Sequence, residues 1–143
     1  AGRTNLNLPR VFVLTTPGSC SSSELVINAM SPFIDVVQIG ETTCGKPVGQ
    51  VPDQVGDFRL FAINFQTVNA LDFGDYFDGL SPNCPVTATV EGDWGDNADP
   101  LYAEALAYIN NDSCSDVAVS GQRLGKLPST EPIQPQWLRY NEQ

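Results

Sequence analysis

Two hydrophobic rhythms alternate along the first half of the chain. Residues 11–15 and 34–39 are short runs of β-branched and aromatic residues, apolar at successive positions. That is the pattern of strands covered on both faces, so the first run predicts a central strand. Between them Leu25, Val26, Ala29 and Met30 recur at helical spacing and predict the buried stripe of a helix. Pro17-Gly18 breaks the first strand, Ser21-x-x-Glu24 reads as a capping box, and Ser31-Pro32 stops the helix. Strand, helix and strand in such close succession make a βαβ unit, with parallel strands and a right-handed crossover. The fold class is therefore α/β.

Further on, the pattern loosens. Residues 40–52 are a Gly-, Thr- and Pro-rich loop. Residues 57–68 predict a longer strand with Phe61, Ile63 and Phe65 on one face. A Gly/Pro/Asp loop over 75–85, a short strand over 86–90 and a polar turn over 92–99 follow. Asp99-Pro100 has the form of a helix start, Asp as cap and Pro at the first helical position. Leu101, Ala105, Leu106 and Ile109 give that helix its apolar stripe, and Asn110-Asn111 ends it. Residues 1–112 thus predict one domain, entered through a loop over 5–9. Residues 113–143 predict an extended tail, Ser/Gly/Pro-rich and without periodicity.

Composition narrows the chemistry. The 143 residues carry a net charge of −10, with only seven Lys and Arg. Nucleic acid and anionic membrane surfaces are not expected partners, because neither is bound without clustered cations. There is no histidine. A Ser-His-Asp triad or a His-rich zinc site cannot be assembled from this chain, and no cofactor or metal is expected. Cysteines stand at 20, 44, 84 and 114 with no CxxC pair. Two disulfides and four buried thiols both fit that count. No apolar leader and no run of about 18 apolar residues is present. The residues alone fit a soluble intracellular chain, or a mature or excised piece of a longer protein.

Without histidine, serine chemistry needs another base. Ser21 falls at a strand-to-helix turn on the sheet edge where α/β folds place their ligands. There the unpaired N–H groups and the helix dipole can stabilise an oxyanion. A serine in that place ordinarily just caps the helix. Lys46, in Cys44-Gly45-Lys46-Pro47, follows the second strand, so the βαβ path returns it to the same edge. A loop lysine is ordinarily a solvated charge; to act as a base it must be held neutral. A Ser-Lys dyad is an established route to an activated hydroxyl.

The stretches GSCSSSE and VVQIGETTCGKPVGQ resemble the catalytic core of the carboxyl-terminal processing proteases, the tail-specific peptidases of family S41. That family carries Ser-Ala-Ser-Ala-Ser-Glu, a run like Val-Val-Gly-x-x-Thr-x-Gly-Lys, and a Gln four residues beyond the Lys. DGLSPNCPV resembles its Gly-Ile-x-Pro-Asp-Val stretch, and DWGDNADPLYAEALAYI its closing aspartate-rich turn and helix. The likeness covers residues 11–110. It implies Ser21 as nucleophile, Lys46 as base 25 residues on, Gln50 orienting Lys46 and the Ser22 N–H as an oxyanion donor. It implies a partial ClpP/crotonase-like catalytic domain, with a βαβ core and a mixed sheet, that cleaves protein substrates near their C-termini. It also implies an extracytoplasmic setting, the bacterial periplasm or envelope. The family's upstream PDZ module, and the first catalytic strand with its Gly-Gly oxyanion loop, have no counterpart here, so the chain alone is expected to be weakly active or inactive.

Cys20 and Ser22 replace family alanines. If Ser21 meets Lys46, then Cys20 and Cys44 come within reach of a disulfide, and Cys84–Cys114 would tie the last strand to the end of the last helix. Two other readings stand beside the peptidase: a non-catalytic relative that binds a peptide or apolar ligand, and a structural piece whose serines only cap a helix.

Overall fold

The structure is a computed structural model and describes residues 6–89, 93 and 95–115. The predicted tail beyond residue 115, residue 5 of the entry loop, Val90 of the predicted 86–90 strand and parts of the 92–99 turn lie outside the described residues. Strand β1 (Arg10–Thr15), helix α1 (Ser22–Met30) and strand β2 (Asp35–Gly40) follow one another, and β1 pairs with β2 in parallel from Arg10↔Asp35 to Thr15↔Gly40. Strands β3 (Val48–Gly49), β4 (Asp53–Val55), β5 (Phe58–Leu60) and β6 (Phe65–Gln66) come next. Strand β7 (Cys84–Pro85) then adds in parallel to the free side of β2, and helix α2 (Pro100–Asn111) closes the described chain. The order of the main sheet is β1-β2-β7, and α2 packs on β2 and β1.

The core lies beneath β2. Val37, Ile39, Cys84, Val86, Ala88, Leu101 and Ala105 form one buried cluster, with Phe12 and Tyr108 packed against it. Asp99 caps α2 as its sequence predicts, its Oδ1 accepting from the N–H of Leu101 at 2.9 Å, with Pro100 in the first turn. Arg10 binds Asp35 at 2.6 Å and Asp112 at 2.7 Å and lies over the Tyr108 ring, joining the starts of β1 and β2 to the end of α2.

Four details depart from the hydrophobic pattern. β1 is an edge strand, only partly buried, because among the described residues nothing pairs with its outer side. The continuously covered strand is β2. α1 turns Glu24, Ile27 and Asn28 inward and leaves Leu25, Val26 and Ala29 exposed. Its polar pair can be buried because each member is satisfied: Asn28 donates to the Phe73 carbonyl at 2.9 Å and accepts from Asn69 at 3.0 Å, and Glu24 holds the loops described below.

The strand predicted over 57–68 is broken. Gly56, at φ 60°, turns β4 back on β5, and Asn64 clamps the N–H and C=O of Val51 with its side chain; residues 61–64 lie in no strand, and only the Asn64 N–H among them reaches one, donating to the Gly49 carbonyl of β3 at 3.2 Å. Phe61 and Ile63 are exposed, and Phe65 instead pairs in β6 with β3, its ring over Gly49. Finally, the last strand among the described residues falls at 84–85, and residues 86–89 form none: Pro85 lacks the N–H of the next rung, and Val86 donates to the Gly40 carbonyl at 2.9 Å instead. The mixture of strand directions therefore sits in separate two-stranded ribbons beside a parallel main sheet.

Candidate active site

The C-terminal ends of β1 and β2 feed two adjacent loops. One, residues 16–21, leads into α1 and ends on Ser21; the other, residues 41–47, ends on Lys46-Pro47. Ser21 has φ 55° and ψ −106°, a sparsely populated conformation for a residue with a side chain. Ser22 follows at the first helical position, where an α-helix leaves its N–H without an intrahelical partner.

Glu24 joins the two loops. Its side chain is fully buried, with 0% exposure, and it takes four hydrogen bonds. One carboxylate oxygen accepts from the Ser21 N–H at 2.9 Å and the Lys46 N–H at 2.8 Å. The other accepts from the Thr43 hydroxyl and the Gly45 N–H, both at 2.6 Å. Because Ser21 and Lys46 donate to the same oxygen, their backbones lie side by side. Burial pushes the Glu24 carboxyl up; the Thr43 hydroxyl and the N–H groups of Lys46, Gly45 and Ser21 outweigh it and hold the group below the usual carboxylate range.

Two further ties act on the same pair of loops. The Cys44 N–H donates to the Ser19 carbonyl at 3.0 Å, and Cys20 and Cys44 form a disulfide with Cα atoms 5.2 Å apart. A second disulfide joins Cys84 to Cys114, from β7 to the end of α2. The lysine loop is also fixed from below. Thr43 and Leu80 exchange bonds, with the Thr43 N–H donating to the Leu80 carbonyl at 3.1 Å and the Leu80 N–H donating to the Thr43 hydroxyl at 2.7 Å. Gly45 takes φ 82°, and a Cβ there would overlap the Phe77 carbonyl oxygen.

The fold thus brings Ser21, Ser22 and the Lys46 backbone to one rim. The Lys46 and Gln50 residues are exposed, and neither side chain makes a hydrogen bond or ion pair among the described residues, including with the other. Cys20, Glu24 and Cys44 cluster closely enough to suggest a metal site. Their chemistry argues otherwise: both sulfurs are consumed in the disulfide and the carboxylate oxygens face N–H and O–H donors. Sequence reasoning gave Glu24 only its capping role and passed over Thr43. The signal for both was a carboxylate on the inward side of a helix, needing donors that only the TTCGK loop could supply.

No family model matches the chain, and no curated protein matches it either. Among solved structures, the chain is similar to a "putative S41 protease" from Bacteroides fragilis NCTC 9343, with a TM-score of 0.65 and 30% identity. The match covers 76% of this chain and 30% of that one, so the chain spans under a third of the neighbour's length. The likeness supports an S41-like fold. Among the described residues no helix is long and apolar enough to cross a membrane.

Proposed function

We propose that the chain carries the nucleophile and base of an S41-type serine peptidase, in a ClpP/crotonase-like catalytic domain, acting on protein substrates near their C-termini. The observation that carries this reading is the buried Glu24 carboxylate, which binds the backbones of Ser21 and Lys46 through one oxygen. A helix cap needs only the first of those bonds. The second has no capping purpose, yet it sets a serine in a strained turn beside a lysine.

In this reading the Ser21 hydroxyl attacks the scissile carbonyl and Lys46 accepts its proton, then returns it to the leaving amine; water releases the acyl group by the same steps in reverse. The Ser22 N–H and the dipole of α1 face the developing oxyanion. To take that proton Lys46 must act as the neutral amine. Gln50 then orients it. We assign peptide turnover to a protein that also supplies a second oxyanion donor, since lacking one donor typically costs about 10²–10³ in rate. The two disulfides support an oxidising, extracytoplasmic setting.

A binding role without catalysis is favoured by one observation: the Lys46 side chain reaches neither Ser21 nor Gln50. A fluorophosphonate probe separates the two. Covalent modification that disappears in Ser21→Ala supports the peptidase; peptide binding with no modification supports the binding protein.

A further inference from the structure

We propose that the Cys20–Cys44 disulfide is a positioning element for the Ser21–Lys46 pair, and that a dithiol reductant opens it and lowers the reactivity of Ser21; the second half of this rests on the peptidase reading. Cys20 immediately precedes Ser21, and Cys44 stands two residues before Lys46. The bond therefore crosses between the two loops that Glu24 bridges. Ser21 at φ 55° and ψ −106° is held in a conformation that a serine leaves unless its surroundings over-determine it. The covalent link is the part of those surroundings that a reductant can remove.

The bond is also within reach. Cys44 is exposed and Cys20 half-buried, so both sulfurs of this bond are open in part; in the other disulfide Cys84 is 1% exposed and only Cys114 is partly open. A thiolate of the dithiol attacks the Cys44 sulfur and forms a mixed disulfide, and Cys20 leaves as the thiolate and takes a proton from solvent. The second thiol of the reductant then displaces Cys44. Both protein sulfurs end reduced, and the dithiol ends oxidised to its cyclic disulfide. With the link open, the Ser21 turn can relax while the rest of the βαβ unit stays paired.

The molecule supplies its own control. The two disulfides close loops of similar length, with separations of 24 and 30, so removing either costs nearly the same chain entropy. Any difference between the Cys20→Ala/Cys44→Ala and Cys84→Ala/Cys114→Ala variants therefore reports position rather than loop closure.

Two readouts on the whole chain test the proposal. The first is amide hydrogen exchange at Ser21, Gly45 and Lys46, the N–H groups bonded to Glu24, which needs no activity. The second is the rate of fluorophosphonate labelling. In Cys20→Ala/Cys44→Ala, exchange at these amides rises, and labelling falls, by at least about tenfold, because small misplacements of reacting groups cost that much or more. In Cys84→Ala/Cys114→Ala both stay within about twofold of the unmodified chain, since local opening follows local contacts. Wild type treated with dithiothreitol, with thiols counted to show which bond opens first, gives the same comparison if the first variant fails to fold. Equal exchange in the two variants overturns the positioning role. If the oxidised wild type never labels, even within a protein that supplies the second oxyanion donor, the peptidase reading and the loss of reactivity fail together, while the exchange data still decide whether the bond positions the two loops.

Discussion

At the scale of single residues, Glu24 organises more of the site than either residue assigned to chemistry. It is a buried charge, which is unfavourable unless each oxygen is well bonded, and four donors from two loops meet that need. Glu24→Gln keeps the shape but turns an NH₂ toward N–H groups that need an acceptor. It should destabilise the fold by at least about 2 kcal/mol in urea unfolding, the scale of buried donors left unpaired. The effect depends on pH. Its hydrogen bonds hold the Glu24 carboxyl below the usual carboxylate range, so its contribution is present above the unfolded pKa and is lost as pH falls through the folded pKa. The stability gap between wild type and Glu24→Gln should therefore be widest above about pH 4.3 and narrow below it. A gap of constant size across that range would remove the ionised carboxylate from this account.

At the scale of elements, sequence and structure agree where local chemistry decides and part where long-range bonds do. The cap of α2 was legible because Asp99 and Pro100 act on their own helix. Asp99→Ala removes the acceptor for the Leu101 and Tyr102 N–H groups and should cost about 1 kcal/mol in thermal unfolding. An unchanged midpoint would mean that the packing of α2 on the sheet, not its cap, sets that end. The βαβ path was legible as well, since two apolar runs flank a capped helix. The inward face of α1 was not. Leu25 and Val26 suggested the stripe, but which face turns inward was settled by partners elsewhere: Asn69 and Phe73 for Asn28, and Thr43, Gly45 and Lys46 for Glu24. The break in the 57–68 segment was hidden for the same reason, because Asn64 binds Val51 across thirteen positions. Of the candidate site, the serine, the lysine and their spacing could be read from the sequence, and the carboxylate that joins their loops could not.

At the scale of the molecule, a small parallel sheet with its burial centred on β2 stands beside a segment that buries little. Between residues 51 and 77 Phe58 and Leu71 are 79% and 74% exposed, and Phe61, Ile63 and Phe77 are also open to solvent. The peptidase reading requires the Ser21 hydroxyl to be coupled to the Lys46 amine. That coupling is read most directly in the rate at which a fluorophosphonate modifies Ser21, with the adduct mapped by mass spectrometry, in wild type and in Lys46→Met. A general base contributes about 10²–10⁴ in rate, so Lys46→Met should slow modification at least about a hundredfold while leaving the fold intact. Modification of Ser21 at the same rate in both proteins would show that Lys46 does not activate it.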